Sequence, residues 1–272
     1  MTLEFYDKSR ILLQSSFFIC VRPHPALCQH IASYNITFPT ETAVPTGFTV
    51  LPSGCATLTI TNDGDRLYID LGGATTKPDF ANTIVNIPKM AVSIEFKPAG
   101  VFGLTSTNQN ELTDIILPLD DITPMLSKSI TEAVEKSANV SQLVNNLDNV
   151  LIGNMQISHN SNINSMLQNI FDLSGNISVG DLEENFYYSQ RQINRIFQQY
   201  VGVGPKSFLR MVRINNALRL MKKSHMDQTF ISDTMGFYDL SHFIRDFKSV
   251  CGVTPQEYRK NMSDFYNNPT RF

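Results

Sequence analysis

The sequence predicts an α+β protein, in which a β-rich N-terminal domain precedes an all-α C-terminal domain with one helical unit used twice and joined by a linker helix. Three observations indicate this class. Short β-prone runs extend to residue 96, helical spacing replaces them after Pro118, and a segment near the C-terminus repeats. The chain has 272 residues, 42% hydrophobic and 17% charged, which suits about two compact domains and excludes a wholly disordered chain.

The β-prone runs are separated by clusters of Gly, Pro, Asn and Asp, which end strands and form turns. The cluster Asn62–Asp65 lies between two runs and predicts a hairpin, because Asn, Asp and Gly tolerate a positive φ. The expected strands are Phe17–Val21, Gly47–Leu51, Ala56–Thr61, Leu67–Leu71 and Met90–Phe96.

Four helices are expected before the middle of the chain. Ala26–Tyr34 and Pro98–Leu104 are predicted as short helices, and Pro124–Val134 and Ser141–Ile152 have the spacing of longer amphipathic ones.

A polar segment, Gly153–Ser161, has no sustained apolar period and is interpreted as a linker. It would join a sensor or dimerisation domain at residues 1–152 to a second domain at residues 162–262, with a tail at 263–272. Every segment after the linker has helical spacing: Ile163–Leu173, Val179–Phe186, Gln190–Tyr200, Lys206–Lys222, Phe230–Met235, Leu240–Val250 and Pro255–Asn261.

The net charge changes sign along the chain. Residues 1–162 contain nine Lys and Arg against fifteen Asp and Glu, whereas residues 163–272 contain thirteen against ten. The overall charge of −3 therefore averages an acidic part and a basic part. A modest basic excess suits a polyanionic partner if the cations share one surface.

The composition gives no sign of a membrane span, a metal site or an enzyme active site. No stretch approaches the roughly 20 uncharged apolar residues that cross a bilayer, and charges interrupt the N-terminal segment, so we expect neither a span nor a secretory leader. The sequence has no metal-ligand spacing, phosphate-binding loop or nucleophile motif, so no metal, no cofactor and no catalysis are expected. Cys20, Cys28, Cys55 and Cys251 have no CxxC spacing and are expected as free thiols in the cytoplasm.

The C-terminal part repeats itself at an offset of 50 residues. Five of the eleven residues between positions 195 and 205 recur, where ordinary amino-acid frequencies predict about one. One supersecondary unit is therefore used twice: a short helix, a tight turn, a second helix, a glycine, and a proline that opens the next helix. Arg195, Phe197, Gly202, Val203 and Pro205 recur as Arg245, Phe247, Gly252, Val253 and Pro255.

The second helix of each copy has an apolar stripe and a polar face. The stripe consists of Ile193, Ile196, Phe197 and Tyr200 in the first copy and of Phe243, Phe247 and Cys251 in the second. A polar helix held by a short turn fits the DNA major groove, although any one such residue taken alone is more often a solvated surface residue. The outward residues are Arg191, Gln192, Asn194, Arg195 and Gln198 in the first copy and Ser241, His242, Arg245 and Lys248 in the second.

The segment Lys206–Lys222 connects the two copies. Its roughly 17 residues would form a rod of about 25 Å, so the two units could enter successive major grooves, which recur about every 34 Å. Arg213 is interpreted either as a structural bridge or as a phosphate contact. The cations on or beside the rod are Lys206, Arg210, Arg213, Arg219, Lys222 and Lys223.

Two runs of the second copy, GFYDLSHFIRDFK at 236–248 and GVTPQEYR at 252–259, resemble the signature of AraC/XylS-type transcription regulators. Ser189, Arg195–Phe197 and Gly202–Pro205 are similar to the first helix-turn-helix of that family. The resemblance covers about residues 163–262 and implies two helix-turn-helix units joined by a linker helix. The β-rich part is similar, less specifically, to a domain that precedes this unit in some members.

Both units depart from the family pattern in their first helix, and the first unit departs in its turn as well. Glu183 and Ser232 stand where the family has a small residue between touching helices, and Phe186–Tyr188 stands where the first turn commonly has a Gly. We therefore expect the first unit to be tilted or to bind DNA weakly, and the base contacts to come mainly from the second unit.

The resemblance also implies which residues contact DNA. Its base-facing positions map onto Arg191, Asn194 and Arg195 in the first unit and onto Ser241, His242 and Arg245 in the second, and Lys248 is expected to neutralise a phosphate. It implies a sequence-specific transcription regulator, expected to be an activator, whose partners are double-stranded DNA and RNA polymerase.

Alternatives remain for the β-rich domain. Apolar strands closing over a cavity would hold a small-molecule effector, whereas a filled core would leave a homodimerising body attached to a weak DNA binder. Cys28 and Cys55 could instead sense oxidants, which would make the protein a thiol-based redox-responsive regulator.

Overall fold

The computed structural model describes residues 1–39, 48–50, 52–81, 88–156, 161–223 and 227–260. Its N-terminal half is built on an antiparallel β-sheet, and the described residues after 161 form helices. The predicted α+β class is therefore confirmed.

The described residues contain nine strands. Seven form one antiparallel sheet in the order β1-β2-β3-β8-β5-β6-β9, and β4 pairs with β7 in a separate ribbon. The five predicted strands correspond to β2, β4, β5, β6 and β8. The ends of β2, β5, β6 and β8 differ from the predicted ones by at most one residue, and Gly47 and Leu51, the predicted ends of the strand at β4, lie outside the described residues. The strands are β1 (Ile11–Gln14), β2 (Phe18–Val21), β3 (Ile31–Thr37), β4 (Phe48–Val50), β5 (Thr57–Asn62), β6 (Leu67–Gly72), β7 (Asp79–Ala81), β8 (Met90–Phe96) and β9 (Ile116–Pro118).

The predicted hairpin connects β5 and β6, which pair from Thr57↔Gly72 to Asn62↔Leu67. Gly64 adopts the expected positive φ of 108°. The carboxylate of Asp63 accepts the backbone N–H groups of Asp65 and Arg66, both at 2.8 Å, and these bonds lower the pKa of Asp63. The turn is thus held by its own side chains, as this residue pattern favours.

The helix predicted at Ala26–Tyr34 is wrong. A single 3₁₀ turn covers Pro25–Leu27, and β3 begins at Ile31. Residues 31–34 are all buried, because β3 lies centrally between β2 and β8 with both of its faces covered. Such a strand has no polar alternation, and the spacing of its apolar residues imitates a helix.

The other short helix is also shorter than predicted. Within Pro98–Leu104, helix begins only at Phe102, and Ala99 has a φ of +63° that interrupts any earlier turn. The described residues of the first half contain four α-helices: α1 (Phe102–Thr105), α2 (Leu119–Ile122), α3 (Pro124–Glu135) and α4 (Val140–Asn154).

Helices α3 and α4 cover the apolar face of the large sheet and share its core. Asp148 of α4 is buried there and accepts hydrogen bonds from Arg10 Nη2 at 2.7 Å, Tyr34 Oη at 2.8 Å and the backbone N–H of His24 at 3.0 Å. Burial is the main cause that raises the pKa of Tyr34. This polar cluster fastens α4 to β3 and to the N-terminal segment.

The second half has seven helices among its described residues. Their ends agree with the predicted helices to within two residues. Asn261, the predicted last residue, and the predicted tail at 263–272 lie outside the described residues. The predicted linker begins and ends in helix, since α4 extends to Asn154 and α5 begins at Ser161. The helices are α5 (Ser161–Asp172), α6 (Val179–Phe186), α7 (Gln190–Tyr200), α8 (Pro205–Lys223), α9 (Gln228–Thr234), α10 (Leu240–Cys251) and α11 (Pro255–Lys260). They share a second core, to which Ala74 of the first half also belongs.

Candidate nucleic-acid interface

The first helix-turn-helix unit consists of α6, a turn and α7. Leu182, Ile193 and Phe197 are fully buried and anchor the two helices to the second core. Helix α6 begins at a capping box, in which the backbone N–H of Ser178 donates to Asp181 Oδ2 at 2.8 Å. The hydrogen bonds from Ser178 lower the pKa of Asp181.

Glu183 links the two helices of this unit. Its Oε1 accepts the backbone N–H of Gln190, the first residue of α7. A carboxylate near a helix N-terminus interacts favourably with the helix dipole. Glu183 therefore has a structural role at a position where the family pattern has a small residue.

The turn between α6 and α7 contains two tyrosines in opposite orientations. Tyr187 ends α6 in the left-handed region, with a φ of +56°, and its side chain is 94% exposed. Tyr188 is half-buried, and its hydroxyl accepts a hydrogen bond from Asn162 Nδ2 at 2.5 Å.

The outward face of α7 contains the three residues that the family resemblance implies. Arg191, Asn194 and Arg195 are all exposed. Asn194 Nδ2 donates to the carbonyl of Gln190 one turn earlier, at 3.0 Å. The structure therefore brings this part of the predicted set together on one solvent-facing surface.

The second unit consists of α9, a longer turn and α10. Gly236 takes the left-handed conformation with a φ of +68°, as expected for the sharp turn before the second helix. Asp239 caps α10 by accepting the backbone N–H of His242 at 2.6 Å. Ser232 is completely buried where the helices touch, and its hydroxyl has no hydrogen-bond partner among the described residues.

The two turns differ in length. One residue, Tyr188, separates the left-handed Tyr187 from the N-cap Ser189, whereas two residues separate Gly236 from the N-cap Asp239. The additional residue in the second turn is Tyr238, whose side chain is 92% exposed.

Helix α10 presents Ser241, Arg245 and Lys248 to solvent, while His242 is half-buried. The Nε2 atom of His242 lies 3.4 Å from Asp246 Oδ2, and its ring packs edge-on against Phe237 at 5.5 Å between centroids. Of the predicted DNA-contacting residues on α10, His242 is therefore the one whose side chain makes the most contacts within the protein.

Asp246 was not indicated by the sequence pattern, yet it connects α10 to the linker helix. It is 8% exposed, and its Oδ1 lies 3.2 Å from Arg210 Nε of α8. The only hint in the sequence is its spacing of four residues from His242, which places both on one helix face.

The linker helix α8 has 19 residues, which gives a length of about 28 Å. Arg213 is half-buried, its guanidinium lies 5.1 Å from the centre of the Phe237 ring, and burial lowers its pKa. Of its two interpretations, the geometry favours the structural bridge.

The N-terminal half contacts the first unit directly. Thr113 Oγ1 donates to the carbonyl of Gly202 at 2.7 Å, and the rings of Phe102 and Tyr200 lie 4.5 Å apart. A Cβ atom at Gly202 would lie 2.9 Å from the carbonyl of Gln109, so the contact requires a glycine there.

The linker helix also contacts the N-terminal half. Asn215 Nδ2 donates to the carbonyl of Pro52 at 3.3 Å, and Gly54 packs closely against Phe208. Two clefts, of about 10 and 60 Å³, lie where the halves meet, and both are much smaller than the few hundred Å³ that enclose a small ligand.

Most of the cysteine thiols are not accessible to an oxidant in solution. Cys28 is exposed, whereas Cys20, Cys55 and Cys251 are buried, and none of the four forms a disulfide among the described residues. Burial raises the pKa of Cys20 to about 11 and raises that of Cys251 as well. Because a protonated thiol is a poor nucleophile, Cys28 is the cysteine best placed to meet an oxidant.

The described residues contain no group of three or more His, Cys, Asp or Glu side chains that could hold a metal ion. Every helix in the described part of the chain is too short or too polar to cross a bilayer.

Comparison with known proteins finds relatives of the helical half. Residues 182–261 match the model of the family described as "Helix-turn-helix domain". The chain is similar to the HTH-type transcriptional regulator YisR of Bacillus subtilis, at 34% identity over 32% of this chain and 30% of the relative. It is also 27% identical to an HTH-type regulator of Haemophilus influenzae, over 59% of each chain, and 26% identical to the regulatory protein PocR of Salmonella typhimurium, over 41% of this chain and 37% of the relative.

These matches span between about a third and three-fifths of the relatives' own length. Among solved structures, the chain is similar to ToxT of Vibrio cholerae, with a TM-score of 0.43 and 15% identity over 80% of this chain and 95% of the other. The relatives named above are transcriptional regulators and not enzymes. The residues that match the family model include both exposed helix faces, so this part of the chain is similar to helix-turn-helix regulators.

Proposed function

We propose that this chain is a sequence-specific DNA-binding transcription regulator that inserts α7 and α10 into two adjacent segments of the major groove. The observation that carries the proposal is the pair of exposed polar faces, Arg191–Arg195 on α7 and Ser241–Lys248 on α10, each held on a buried aliphatic and aromatic stripe. A linker helix of about 28 Å between them suits the spacing of successive grooves, about 34 Å. The activator role rests on the family resemblance and is tested with a promoter reporter.

The residue that tests this function most directly is Arg245. It is exposed at the centre of the outward face of α10, where an arginine can form two hydrogen bonds with a guanine edge. We expect Arg245→Ala to weaken specific binding by about 1–3 kcal/mol and to relax the base preference at one position of the site. Footprinting and a base-substitution series of the bound duplex measure both effects.

Arg66→Ala is the matched control, because Arg66 is exposed on the β5–β6 turn of the other half. The control variant should bind DNA as the wild type does. If Arg245→Ala leaves affinity and base preference unchanged, the assigned recognition face is wrong.

We further propose that residues 1–152 form a regulatory domain, that 153–161 link it to the DNA-binding domain at 162–262, and that the first domain acts through its contact with α7. The hydrogen bond from Thr113 to Gly202 and the packing of Phe102 on Tyr200 support this, since they touch the end of the helix that would enter the groove. A small-molecule effector would act only if it bound two arrangements of this contact with different affinities.

The remaining partners belong to the same proposal. A homodimer would double the number of helices on DNA, and RNA polymerase would be the protein that a bound activator contacts in the cytoplasm. Sedimentation of the purified chain with and without DNA tests the dimer. A change in melting temperature or DNA affinity on adding a cytosolic small-molecule extract would support an effector.

A further inference from the structure

Two tyrosines stand out in the turns of the helix-turn-helix units. Tyr187 is 94% exposed and Tyr238 is 92% exposed. Each precedes an outward-facing helix by two or three residues, since α7 begins at Gln190 and α10 at Leu240. Among the described residues, neither hydroxyl has a hydrogen-bond partner.

Packing does not explain these two side chains. The other aromatic residue of each turn already fills the inward position: Tyr188 is half-buried and Phe237 is 5% exposed, packed 5.2 Å from the ring of Phe243. The outward tyrosines therefore contribute almost no buried area to the fold, although a tyrosine is one of the larger apolar side chains available for burial.

Tyr187 is also in an unfavourable conformation. Its φ of +56° lies in the left-handed region, whereas the turn of the second unit has a glycine, Gly236, in that conformation, with a φ of +68°. A residue with a Cβ is disfavoured there. A large side chain that is kept in a strained conformation without packing contacts points to a function outside the fold.

The exposed cations near the two turns favour a negatively charged partner. Arg191 and Arg195 are exposed on α7, and Arg245 and Lys248 are exposed on α10, so each tyrosine lies at the edge of a cationic face. Two carboxylates beside the helix starts are engaged by the fold, because Glu183 accepts the N–H of Gln190 and Asp239 accepts that of His242. Glu184 is exposed one turn before Tyr187, so the exposed cations outnumber the exposed carboxylates that lie beside this turn. A tyrosine hydroxyl beside such a face is a suitable hydrogen-bond donor to a phosphate.

We propose that Tyr187 and Tyr238 donate hydrogen bonds to the DNA phosphate backbone and thereby set the position of α7 and α10 in their grooves. This inference rests on the proposed function. The two residues precede the helices instead of lying on their outward faces, so their contacts are with the backbone at the edge of each groove and carry no base preference. They are positioning residues.

The experiment uses the full chain and a duplex that the protein selects from a random-sequence library, with a scrambled duplex of the same composition. Tyr187→Phe and Tyr238→Phe remove only the hydroxyl, and Tyr6→Phe is the control because Tyr6 is exposed in the N-terminal half. Each of the first two changes should weaken binding to both duplexes on the order of fivefold. The slope of log affinity against log salt should stay the same, because no cation is removed.

A second variant separates function from folding. Tyr187→Gly relieves the left-handed strain and removes the phenol, so it should raise the melting temperature and lower DNA affinity together. A purely structural role for Tyr187 cannot move these two quantities in opposite directions.

Several outcomes would overturn the inference. Unchanged binding of both Phe variants excludes the phosphate contacts. A loss confined to one base position makes the tyrosines base readers, and a loss seen only when RNA polymerase is added makes them a protein-docking surface. If the wild-type chain binds no DNA, the proposed function itself fails, which is distinct from wild-type binding that the Phe changes leave intact.

Discussion

Lys248 and Arg245 lie one turn apart on α10, yet they should contribute to binding in different ways. Arg245 faces outward near the middle of the helix, whereas Lys248 is exposed in its last turn. A lysine there is a point charge that suits a phosphate, and it lacks the planar fork that reads a guanine edge.

This difference makes a prediction for salt dependence. Lys248→Ala should weaken binding to all sequences alike and reduce the slope of log affinity against log salt by about 0.9, because one fewer counterion is released. Anisotropy titrations over a range of KCl concentrations measure the slope. Lys77→Ala, an exposed lysine of the N-terminal half, is the control, and an unchanged slope for Lys248→Ala would contradict the phosphate role.

His242 is a weaker candidate for a base contact than its neighbours. Its Nε2 lies 3.4 Å from the buried Asp246, and its ring packs against Phe237. Reading a base with Nε2 would require breaking that contact. Its assignment as a DNA-contacting residue remains a prediction, and Ser241 and Arg245 lie more freely on the same face.

Among the structural elements, α4 depends on one buried carboxylate. Asp148 is 3% exposed and accepts three hydrogen bonds, from groups in the N-terminal segment and in β3. Arg10, its ionic partner at 2.7 Å, has a side chain that is 14% exposed. Loss of the carboxylate charge would leave this arginine buried without its counterion.

We therefore expect Asp148→Asn to lower the free energy of unfolding by about 3 kcal/mol, measured by urea denaturation followed by circular dichroism. Glu132→Gln is the matched control, because Glu132 forms an exposed ion pair with Lys136 one turn away in the same helical hairpin. Exposed pairs of this kind add little, so the control should unfold as the wild type does. Equal effects of the two changes would contradict the role given to Asp148.

The helices that bear the candidate site could be predicted from the sequence because each has a one-sided apolar stripe. Ile193 and Phe197 in α7, and Phe243 and Phe247 in α10, recur at helical spacing, and the 50-residue repeat gives two independent views of one unit. The sequence pattern failed for β3, since a strand buried on both faces has no alternation to reveal it.

Contacts between distant residues could not be predicted in the same way. Thr113 and Gly202 are 89 positions apart, and Asp246 meets Arg210 only because α8 and α10 pack together. No local pattern encodes such pairs. Glu183 departs from the family pattern in the sequence, and only the geometry reveals that its carboxylate caps α7.

At the scale of the whole molecule, the linker helix α8 contacts both the β-rich half and the second unit. Phe208 packs against Gly54 of the first half, and Arg210 pairs with Asp246 of α10. The first unit has its own contact with the N-terminal half through Gly202. Helices α7 and α10 are therefore attached to the N-terminal half by different routes.

Weakening the hydrogen bond between Thr113 and Gly202 should therefore affect the first unit and leave the second unit unchanged. Thr113→Val removes the hydroxyl that donates to Gly202 but keeps the shape of the side chain, at a cost of about 1 kcal/mol to the contact. Amide hydrogen exchange at the end of α7 should become several times faster, while exchange in α10 stays unchanged.

Thr131→Val is the control for this change, because the hydroxyl of Thr131 donates to the carbonyl of Ser127 within α3. It should leave exchange in both helices as it is. Equal acceleration of α7 and α10 in the Thr113 variant would show that the N-terminal half does not act on the first unit separately.

The unequal turns of the two units have a consequence for the symmetry of the DNA target and for its orientation relative to the gene. Because the units follow each other along one chain and differ by the extra Tyr238, a single molecule has no two-fold axis with which to match a palindrome. Its target should read differently from left to right. Reversing that target upstream of a start site would turn the β-rich half to face away from the gene, so we expect regulation to depend on the direction of the target as well as on its presence.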